Sequence, residues 1–254
     1  MKKLIIYDGS CPMCRLYTKG MVAADQSGCL TRISNDQLNQ KAILDRVDRQ
    51  RARHEIPLVD LDGGETLYGV DTWLYAFGRR SHSIEKLLSF KWLKTILEQL
   101  YAFISYNRRI IITSAPGRWQ LLDLQPEFRL NYRLVFVCVA MSLVGGLHYA
   151  VAGSFTWPVF ALLIVQLGLV SLYLSLTKRL PFLETLLDYM GHLGMSLLLG
   201  GIVIAIGSIL HWPGSVLAGS ALTISQHFIR QYRLGLNPWL SASFTLLYLL
   251  IVRL

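Results

Sequence analysis

Three long stretches of the chain contain no charged side chain. No Asp, Glu, Lys or Arg occurs at positions 134–177, 189–229 or 234–252. Soluble proteins expose charged residues throughout their length, so this scarcity excludes a chain that is soluble as a whole. Most of the charge lies before residue 130, where 19 of the 25 basic and 14 of the 16 acidic residues occur. The sequence therefore predicts a soluble half followed by a membrane half.

Cysteine is also scarce, and its four positions exclude a disulfide framework. Cys11 and Cys14 form a CxxC pair, Cys29 lies in the charged half, and Cys138 lies in an uncharged stretch. Secreted domains held together by disulfides carry a denser, paired set of cysteines. The pattern instead indicates a catalytic pair in a reducing compartment.

Two further absences concern export and nucleic acid. Met1-Lys2-Lys3 resembles the start of a leader, but only four apolar residues follow before Asp8, too few for the apolar core of a signal peptide. We therefore expect no cleavable leader. The net charge is +9, yet no basic stripe with interleaved aromatic residues is present, so we expect no nucleic-acid binding. Basic loops of a membrane protein account for the charge.

The uncharged stretches predict an all-α bundle of transmembrane helices. A span needs about 20 apolar residues to cross about 30 Å of hydrocarbon. Residues 153–158 and 211–214 each contain a proline, which favours a helix boundary, so the first two stretches are each divided into two spans. We predict five spans, near 133–153, 157–177, 185–210, 213–230 and 237–252, in a domain of residues 121–254.

The basic residues of this half alternate between loops. Loops with Lys or Arg precede the first span, separate the second from the third, and separate the fourth from the fifth, whereas the other two loops have none. The positive-inside rule places such loops in the cytoplasm. We therefore expect an integral protein of the inner (plasma) membrane, in contact with the lipid bilayer, with its N-terminal domain in the cytoplasm. The basic residues of these three loops are Arg129, Arg133, Lys178, Arg179, Arg230 and Arg233.

The charged half predicts an α/β domain over residues 1–120. A β-prone run at 3–7 is followed by turn residues at 8–10 and then by a helical pattern, and residues 61–64 give a hairpin signal between two later strands. The resulting order, βαβαββα, is that of a thioredoxin-like fold. The predicted strands lie at 3–7, 29–34, 56–60 and 65–68, and the predicted helices at 11–24, 37–53, 70–77 and 84–105.

Cys11 and Cys14 lie at a predicted helix start. The free N–H groups and partial positive charge of a helix N-terminus favour a thiolate. We assign Cys11 as the attacking nucleophile and Cys14 as the resolving thiol that releases a mixed disulfide. Pro12 suits the first helical turn, because its missing N–H is no loss there. The alternative is half of a zinc site, but structural zinc takes four ligands and the sequence has no second CxxC.

A proline facing the cysteine pair is a second expected component. In thioredoxin-like folds a cis-proline faces the two cysteines, and its neighbouring backbone docks extended substrate. Ile56-Pro57 occupies that place in the predicted order. The alternative is an ordinary proline on an edge strand.

The motif around the cysteines is similar to that of a known family. The sequence Asp-Gly-Ser-Cys-Pro-Met-Cys at 8–14 resembles the signature of the DCC family of thiol-disulfide oxidoreductases (the DUF393 domain), named for its Asp-x-x-Cys-x-x-Cys pattern. Gly63 and residues 68–71 resemble the family's hairpin and following helix start, and residues 101–108 resemble its closing Tyr-rich helix, which ends in Asn-Arg. The resemblance covers residues 3 to 110 and implies a thioredoxin-like fold with protein-disulfide reductase chemistry.

The resemblance also marks Asp8 as a candidate functional residue. If it is partly buried, Asp8 would carry a proton to or from Cys14; alternatively, it is a turn former that bonds the backbone of Ser10 or Cys11. Arg108 would bind an anionic group or pair with Asp8, although we favour its interpretation as a juxtamembrane positive charge. The candidate substrate-binding residues are Pro12, Ile56, Pro57 and Arg108.

Four histidines lie near the ends of predicted spans. His192 and His227 lie near the cytoplasmic ends, and His148 and His211 lie near the opposite ends. Two histidines on facing helices can hold a haem, so a relay through haem or quinone is one interpretation. The other interpretation, which we favour, is that these histidines lie at the membrane interface and bind no cofactor.

Three functions are consistent with these features. The first is a thiol-disulfide oxidoreductase that uses no cofactor beyond its cysteine pair and exchanges electrons with a protein or small-molecule thiol or disulfide. The second is a membrane electron relay that feeds the pair. The third is a non-catalytic thioredoxin-like module that recruits a partner to a membrane scaffold. The intact CxxC favours the first, because a binding module need not keep both cysteines.

Overall fold

The computed structural model describes residues 2–78, 90–113, 122–154, 157–177 and 181–252. The chain divides into two compact units, Met1–Phe128 and Arg129–Leu254. The predicted boundary at residue 120, the loop basic residues Lys178 and Arg179, and the predicted start of a helix at residue 84 lie outside the described residues.

The first unit is built on a mixed four-stranded sheet in the order β2-β1-β3-β4. β1 and β2 run parallel, whereas β1 with β3 and β3 with β4 run antiparallel. Ile5 lies between Arg32 and Leu58 in the register, which places β1 at the centre of the sheet. The strands are β1 (Lys3–Tyr7), β2 (Leu30–Ser34), β3 (Pro57–Asp60) and β4 (Leu67–Tyr68).

Alternate residues of β1 enter two different hydrophobic cores. Successive side chains of a strand point to opposite faces of the sheet. Ile5 packs in one cluster with Met21, and Ile6 packs in another with Leu38 and Leu122. Both faces of β1 are therefore covered. The helices of this unit are α1 (Pro12–Ala24), α2 (Lys41–Leu44), α3 (Arg49–Ala52), α4 (Gly69–Gly78) and α5 (Lys91–Ile111).

The single helix predicted at 37–53 is wrong, because the structure has two short helices there. Asp48 interrupts the pattern by capping α3: its Oδ1 accepts from the backbone N–H of Gln50 and Arg51 at 2.9 and 3.1 Å. The backbone N–H of Asp48 in turn donates to the Tyr68 hydroxyl at 2.7 Å, which ties the break to β4. α5 also runs to Ile111, six residues beyond its predicted end.

The predicted cis peptide at Pro57 is wrong as well. Within the described ranges every peptide bond is trans. Pro57 is the first residue of β3 and pairs with Tyr68, and β3 lies inside the sheet, so the edge-strand alternative is also wrong. A proline is tolerated at the first residue of a strand, where its missing N–H breaks no ladder bond.

The described residues of the second unit form helices and no strands. Its first three helices are each long and apolar enough to span a membrane. The other two, at the predicted fourth and fifth spans, do not meet both conditions: α9 carries Ser, Thr, Gln, His and Arg, and α10 has 14 residues. Five spans are therefore not shown. The helices are α6 (Leu130–Ala152), α7 (Trp157–Thr177), α8 (Phe182–Ile209), α9 (Ser215–Arg233) and α10 (Trp239–Val252).

Glycines bring α8 and α9 close together. A Cβ at Gly200 would overlap Thr223, and a Cβ at Gly207 would overlap Ser215. Small residues at such positions let helix backbones approach closely in membranes. A buried ion pair, Arg133 Nε to Asp188 Oδ1 at 2.9 Å, joins α6 to α8.

Candidate redox site

A tight turn between β1 and α1 positions the cysteine pair. Asp8 Oδ1 accepts from the Ser10 backbone N–H at 2.9 Å and from the Ser10 hydroxyl at 2.6 Å. The Cys11 N–H donates to the Asp8 carbonyl at 3.1 Å. Glycine fits position 9 because a Cβ there would lie 2.7 Å from Asp36 Oδ1 and 3.1 Å from Ser34 Cβ, so both side chains would have to shift. The turn-forming role expected for Asp8 is therefore present in the structure.

Cys11 is the N-cap residue of α1, and Cys14 lies in the first turn. The Cys11 Sγ accepts a hydrogen bond from the Cys14 backbone N–H at 3.4 Å, and Pro12 opens the helix. Both cysteines are free thiols. Cys11 is 0% exposed and Cys14 is 1% exposed. A thiolate at Cys11 is thus held by a helix N-terminus and shielded from water.

The pKa values of the two thiols are shifted in opposite directions. A hydrogen bond from the Cys14 side chain is the main cause that lowers the pKa of Cys11 to about 6. Burial opposes it, and the Cys14 N–H and Arg108 each lower the pKa by a smaller amount. The same hydrogen bond, together with burial, raises the pKa of Cys14. At neutral pH the geometry therefore favours a thiolate on Cys11 and a proton on Cys14, which is what a nucleophile and a resolving thiol require.

Arg108 brings a buried positive charge to this site. Its side chain is only 5% exposed, and its Nη2 lies 3.5 Å from Asp8 Oδ2. Arg108 also donates to the Ser105 hydroxyl at 3.3 Å and to the Leu124 carbonyl. The favoured interpretation of Arg108 as a juxtamembrane positive charge is therefore wrong. The alternative, in which Arg108 pairs with Asp8, is confirmed. Arg109 lies behind it, with Nη2 3.9 Å from Asp8 Oδ2.

Two tyrosines link the start of β3 to α1, the helix that carries the cysteine pair. The Ile56 backbone N–H donates to the Tyr101 hydroxyl at 3.0 Å, and the Tyr101 side chain is hydrogen-bonded to Tyr17. Desolvation raises the pKa of Tyr101 to about 12, so the hydroxyl keeps its proton. The Ile56 carbonyl accepts from Thr72 Oγ1 at 3.0 Å. Both polar backbone groups of Ile56 are thus occupied, and the predicted substrate docking at Ile56-Pro57 requires these bonds to be exchanged.

The structure brings Cys11, Cys14, Asp8 and Arg108 together, and it adds residues to which the sequence assigned no role. Arg109 and Tyr17 enter the site from α5 and α1, and neither belongs to the motif. Tyr101 could have been predicted as a site residue, because it lies in the Tyr-rich segment at the end of α5 that formed part of the family resemblance.

The histidines of the second unit have separate surroundings. His227 is 2% exposed, and its Nε2 lies 2.9 Å from the Tyr189 hydroxyl. His192 is buried, with Nδ1 3.3 Å from Arg230 Nη1. His148 lines a cavity, and His211 is exposed just after α8. The four residues predicted as haem or quinone contacts therefore differ in burial and in partners.

No third ligand joins the cysteine pair to form a metal centre in the part of the chain that is described. No three His, Cys, Asp or Glu side chains converge there. The Cys29 thiol donates a hydrogen bond to the Ser27 carbonyl at 3.6 Å, and Cys138 is exposed on α6.

No protein-family model, curated protein or solved structure matches the chain.

Proposed function

We propose that the protein is a membrane-anchored thiol-disulfide oxidoreductase of the protein-disulfide reductase type. The observation that carries the proposal is the Cys11 Sγ at the N-cap of α1, where it accepts the Cys14 N–H and lies near buried Arg108. The strand–CxxC–helix order and the later antiparallel hairpin are those of thioredoxin-like proteins, and they support membership of the DCC family.

The proposed reaction has two exchange steps. The Cys11 thiolate attacks one sulfur of the substrate disulfide, forms a mixed disulfide, and releases the other substrate sulfur as a thiolate. Cys14 then attacks the Cys11 sulfur, which forms the Cys11–Cys14 disulfide, and its proton passes to the departing sulfur, which leaves as the second substrate thiol. The substrate gains two electrons and the cysteine pair loses them.

The surrounding groups prepare the pair for these steps. Arg108 stabilises the Cys11 thiolate, and Asp8 holds both Arg108 and the turn in place. Because Cys11 is fully covered, the site must open locally when a substrate docks. Pro12, Ile56 and Pro57 stay the proposed substrate contacts of that opened site.

Trapping of the mixed disulfide tests the proposal. In full-length protein with Cys29 and Cys138 replaced by serine, Cys14→Ser is expected to accumulate a dithiothreitol-sensitive adduct with glutathione disulfide, because Cys11 attacks but is not released. Mass spectrometry measures the adduct. The matched Cys11→Ser variant is expected to form none. An equal yield in the two variants, or none in Cys14→Ser, would contradict the assignment of Cys11 as nucleophile.

We further propose that all five helices of the second unit span the inner (plasma) membrane and leave the first unit in the cytoplasm. The basic residues support this orientation: Arg129 and Arg133 precede or begin α6, and Arg230 and Arg233 end α9. The loop between α6 and α7 and the loop between α8 and α9 carry no Lys or Arg. Alternation of this kind is the pattern of the positive-inside rule.

Fusions to a reporter enzyme that is active only outside the cytoplasm test the orientation. Fusion at residue 1 or after residue 180 is expected to give no activity, because both points follow the cytoplasmic pattern of basic residues. Fusion after residue 154 or after residue 213 is expected to give high activity. A strong signal at residue 1 would overturn the orientation, and equal signals at 180 and 213 would overturn the span count.

A further inference from the structure

Helix α5 of the first unit carries a row of exposed apolar side chains. Trp92, Ile96, Leu100 and Ile104 follow one another at intervals of four residues, so they lie along one side of the helix. They are 64%, 51%, 50% and 38% exposed, respectively. These four residues form the α5 stripe, which extends about 18 Å along the helix axis. Single exposed apolar residues are ordinary, but a contiguous row of them is typical of a surface that binds lipid or protein.

Polar groups on another side of α5 hold the helix to the first unit. Lys94 Nζ lies 2.7 Å from Asp71 Oδ1, and the Tyr101 hydroxyl accepts a backbone N–H at 3.0 Å just before β3. The Ser105 hydroxyl donates to the His54 carbonyl. A surface helix of a soluble domain normally turns its apolar stripe toward the core and its polar side chains toward water. The arrangement in α5 is reversed, so its stripe faces away from the core of the first unit.

The composition of the stripe suits the surface of a lipid bilayer. Trp92 begins it, Lys91 beside Trp92 is exposed, and Phe90 before them is 52% exposed. Helices that lie in the membrane interface carry Trp, Phe and other apolar residues on one face and basic residues next to them. A Trp ring settles at the level of the headgroups, and a Lys side chain reaches the phosphates. The charged half of the chain, with 19 basic and 14 acidic residues, is also attracted to anionic lipid.

The covalent continuity of the chain favours lipid over a separate protein as the partner of the stripe. α5 ends at Ile111, and α6, which is long and apolar enough to span a membrane, begins at Leu130. A surface joined to its partner by a short linker meets it at an effective concentration on the order of millimolar. A modest apolar stripe is then sufficient for binding to the bilayer, whereas a separate soluble partner would have to reach that concentration in the cell.

We infer that α5 lies on the surface of the bilayer, with the α5 stripe inserted at the boundary between the headgroups and the acyl chains. The inference rests on the proposed embedding of the second unit in a membrane, and it does not depend on the chemistry of the cysteine pair. Tyr101 and Arg108, on other sides of α5, belong to the redox site. Contact between the stripe and lipid therefore holds the redox site next to the membrane surface.

Spin labels on the stripe test the inference. In full-length protein whose four native cysteines are replaced by serine, a label is attached to Ile96→Cys or to Leu100→Cys, and the protein is placed in nanodiscs of phosphatidylethanolamine and phosphatidylglycerol. Power saturation compares collisions with oxygen, which concentrates in lipid, and with a nickel chelate, which stays in water. At both positions we expect oxygen accessibility to exceed nickel accessibility. Both residues are exposed, so a label at either position displaces no packed core residue.

Two further label positions serve as controls. Glu98 lies 3.8 Å from Lys94, on the side of α5 that carries the polar contacts, and it is exposed. At Glu98→Cys we expect the reverse order, with nickel accessibility above oxygen accessibility. Ile164, which is 61% exposed on α7, reports separately on the embedding of the second unit, and at Ile164→Cys we expect oxygen accessibility to be the higher.

The outcomes separate the two proposals. Higher nickel accessibility at Ile96 and Leu100, with higher oxygen accessibility at Ile164, would overturn the lipid contact of α5 and leave the membrane embedding intact. Low accessibility to both reagents at Ile96 and Leu100 would show that a protein surface, such as a second copy of the chain, covers the stripe, and it would also overturn the lipid contact. Higher nickel accessibility at Ile164 would overturn both proposals.

Discussion

Replacement of Cys11 by serine is expected to lower the rate at which reduced full-length protein reduces glutathione disulfide by roughly a thousandfold or more. Serine has the same shape as cysteine but does not ionise near neutral pH, so the attacking thiolate is lost. Cys14 does not take over, since its raised pKa keeps it protonated. The measurement is a single-turnover assay of glutathione release.

Cys29→Ser is the matched control for this prediction. Cys29 precedes β2, is partly exposed, and belongs to neither the turn nor α1. Its replacement is expected to leave the rate unchanged. A Cys11→Ser protein that keeps a tenth of the activity would show that another group attacks the disulfide.

The same assay has an expected pH dependence. The thiolate is the reactive form of Cys11, so the rate falls as protonation increases. With a pKa of about 6, the rate is expected to be half-maximal near that pH, to fall tenfold per pH unit well below it, and to be flat above pH 7. An ordinary thiol has a pKa of about 8.5, and its rate would still rise between pH 7 and 8.

Arg108→Met is expected to reduce the free energy of unfolding of the first unit by about 3 kcal/mol. It leaves the Asp8 carboxylate buried with Arg109, 3.9 Å away, as the nearest remaining cation. Removing one partner of a buried pair strands the other charge. The variant is also expected to shift the pH midpoint of Cys11 reactivity upward, because Arg108 lowers the Cys11 pKa and Asp8 raises it.

Two comparisons make the Arg108 prediction specific. The double variant Asp8→Asn with Arg108→Met removes both charges and is expected to recover part of the lost stability. Arg15→Met removes an exposed cation one turn from Cys11 and is expected to change neither the stability nor the midpoint. Urea unfolding can be followed by alkylation of buried Cys14 in a background without the other cysteines. Equal stability losses in the Arg108 single and double variants would exclude a role for the ion pair.

Local sequence patterns were enough to predict much of the secondary structure of the first unit. The β-prone run before Cys11 and the proline after it were enough to predict the start of α1 at the pair, because strand, turn and N-cap signals lie within a few residues. The break between α2 and α3 was not predictable in this way. Asp48 caps α3 locally, but its backbone N–H is also held by the Tyr68 hydroxyl, twenty residues later, and a local pattern does not show that second bond.

The burial of Arg108 could not be predicted from the sequence either. Arg108 is a hundred residues from Asp8, and its charge gave it the appearance of a membrane-proximal cation. Only the packing of α5 against the turn shows that the guanidinium is enclosed. In the second unit, the apolar runs predicted the ends of α6, α7 and α8 to within three residues. The polar side chains of α9 lower its mean hydropathy, and it is not among the helices that are apolar enough to span a membrane.

The close contact between α8 and α9 has a consequence for how the chain enters a bilayer during synthesis. α9 carries buried His227, Arg230 and Gln231, which make transfer of this segment alone into lipid unfavourable. Gly200 and Gly207 let α9 lie directly against α8, where those polar groups face protein. If α9 spans the membrane as proposed, the two segments are suited to partition together as a helical hairpin, because apolar α8 covers the polar side chains of α9. A bulky side chain at Gly200 would then act on biogenesis before it acted on the folded protein.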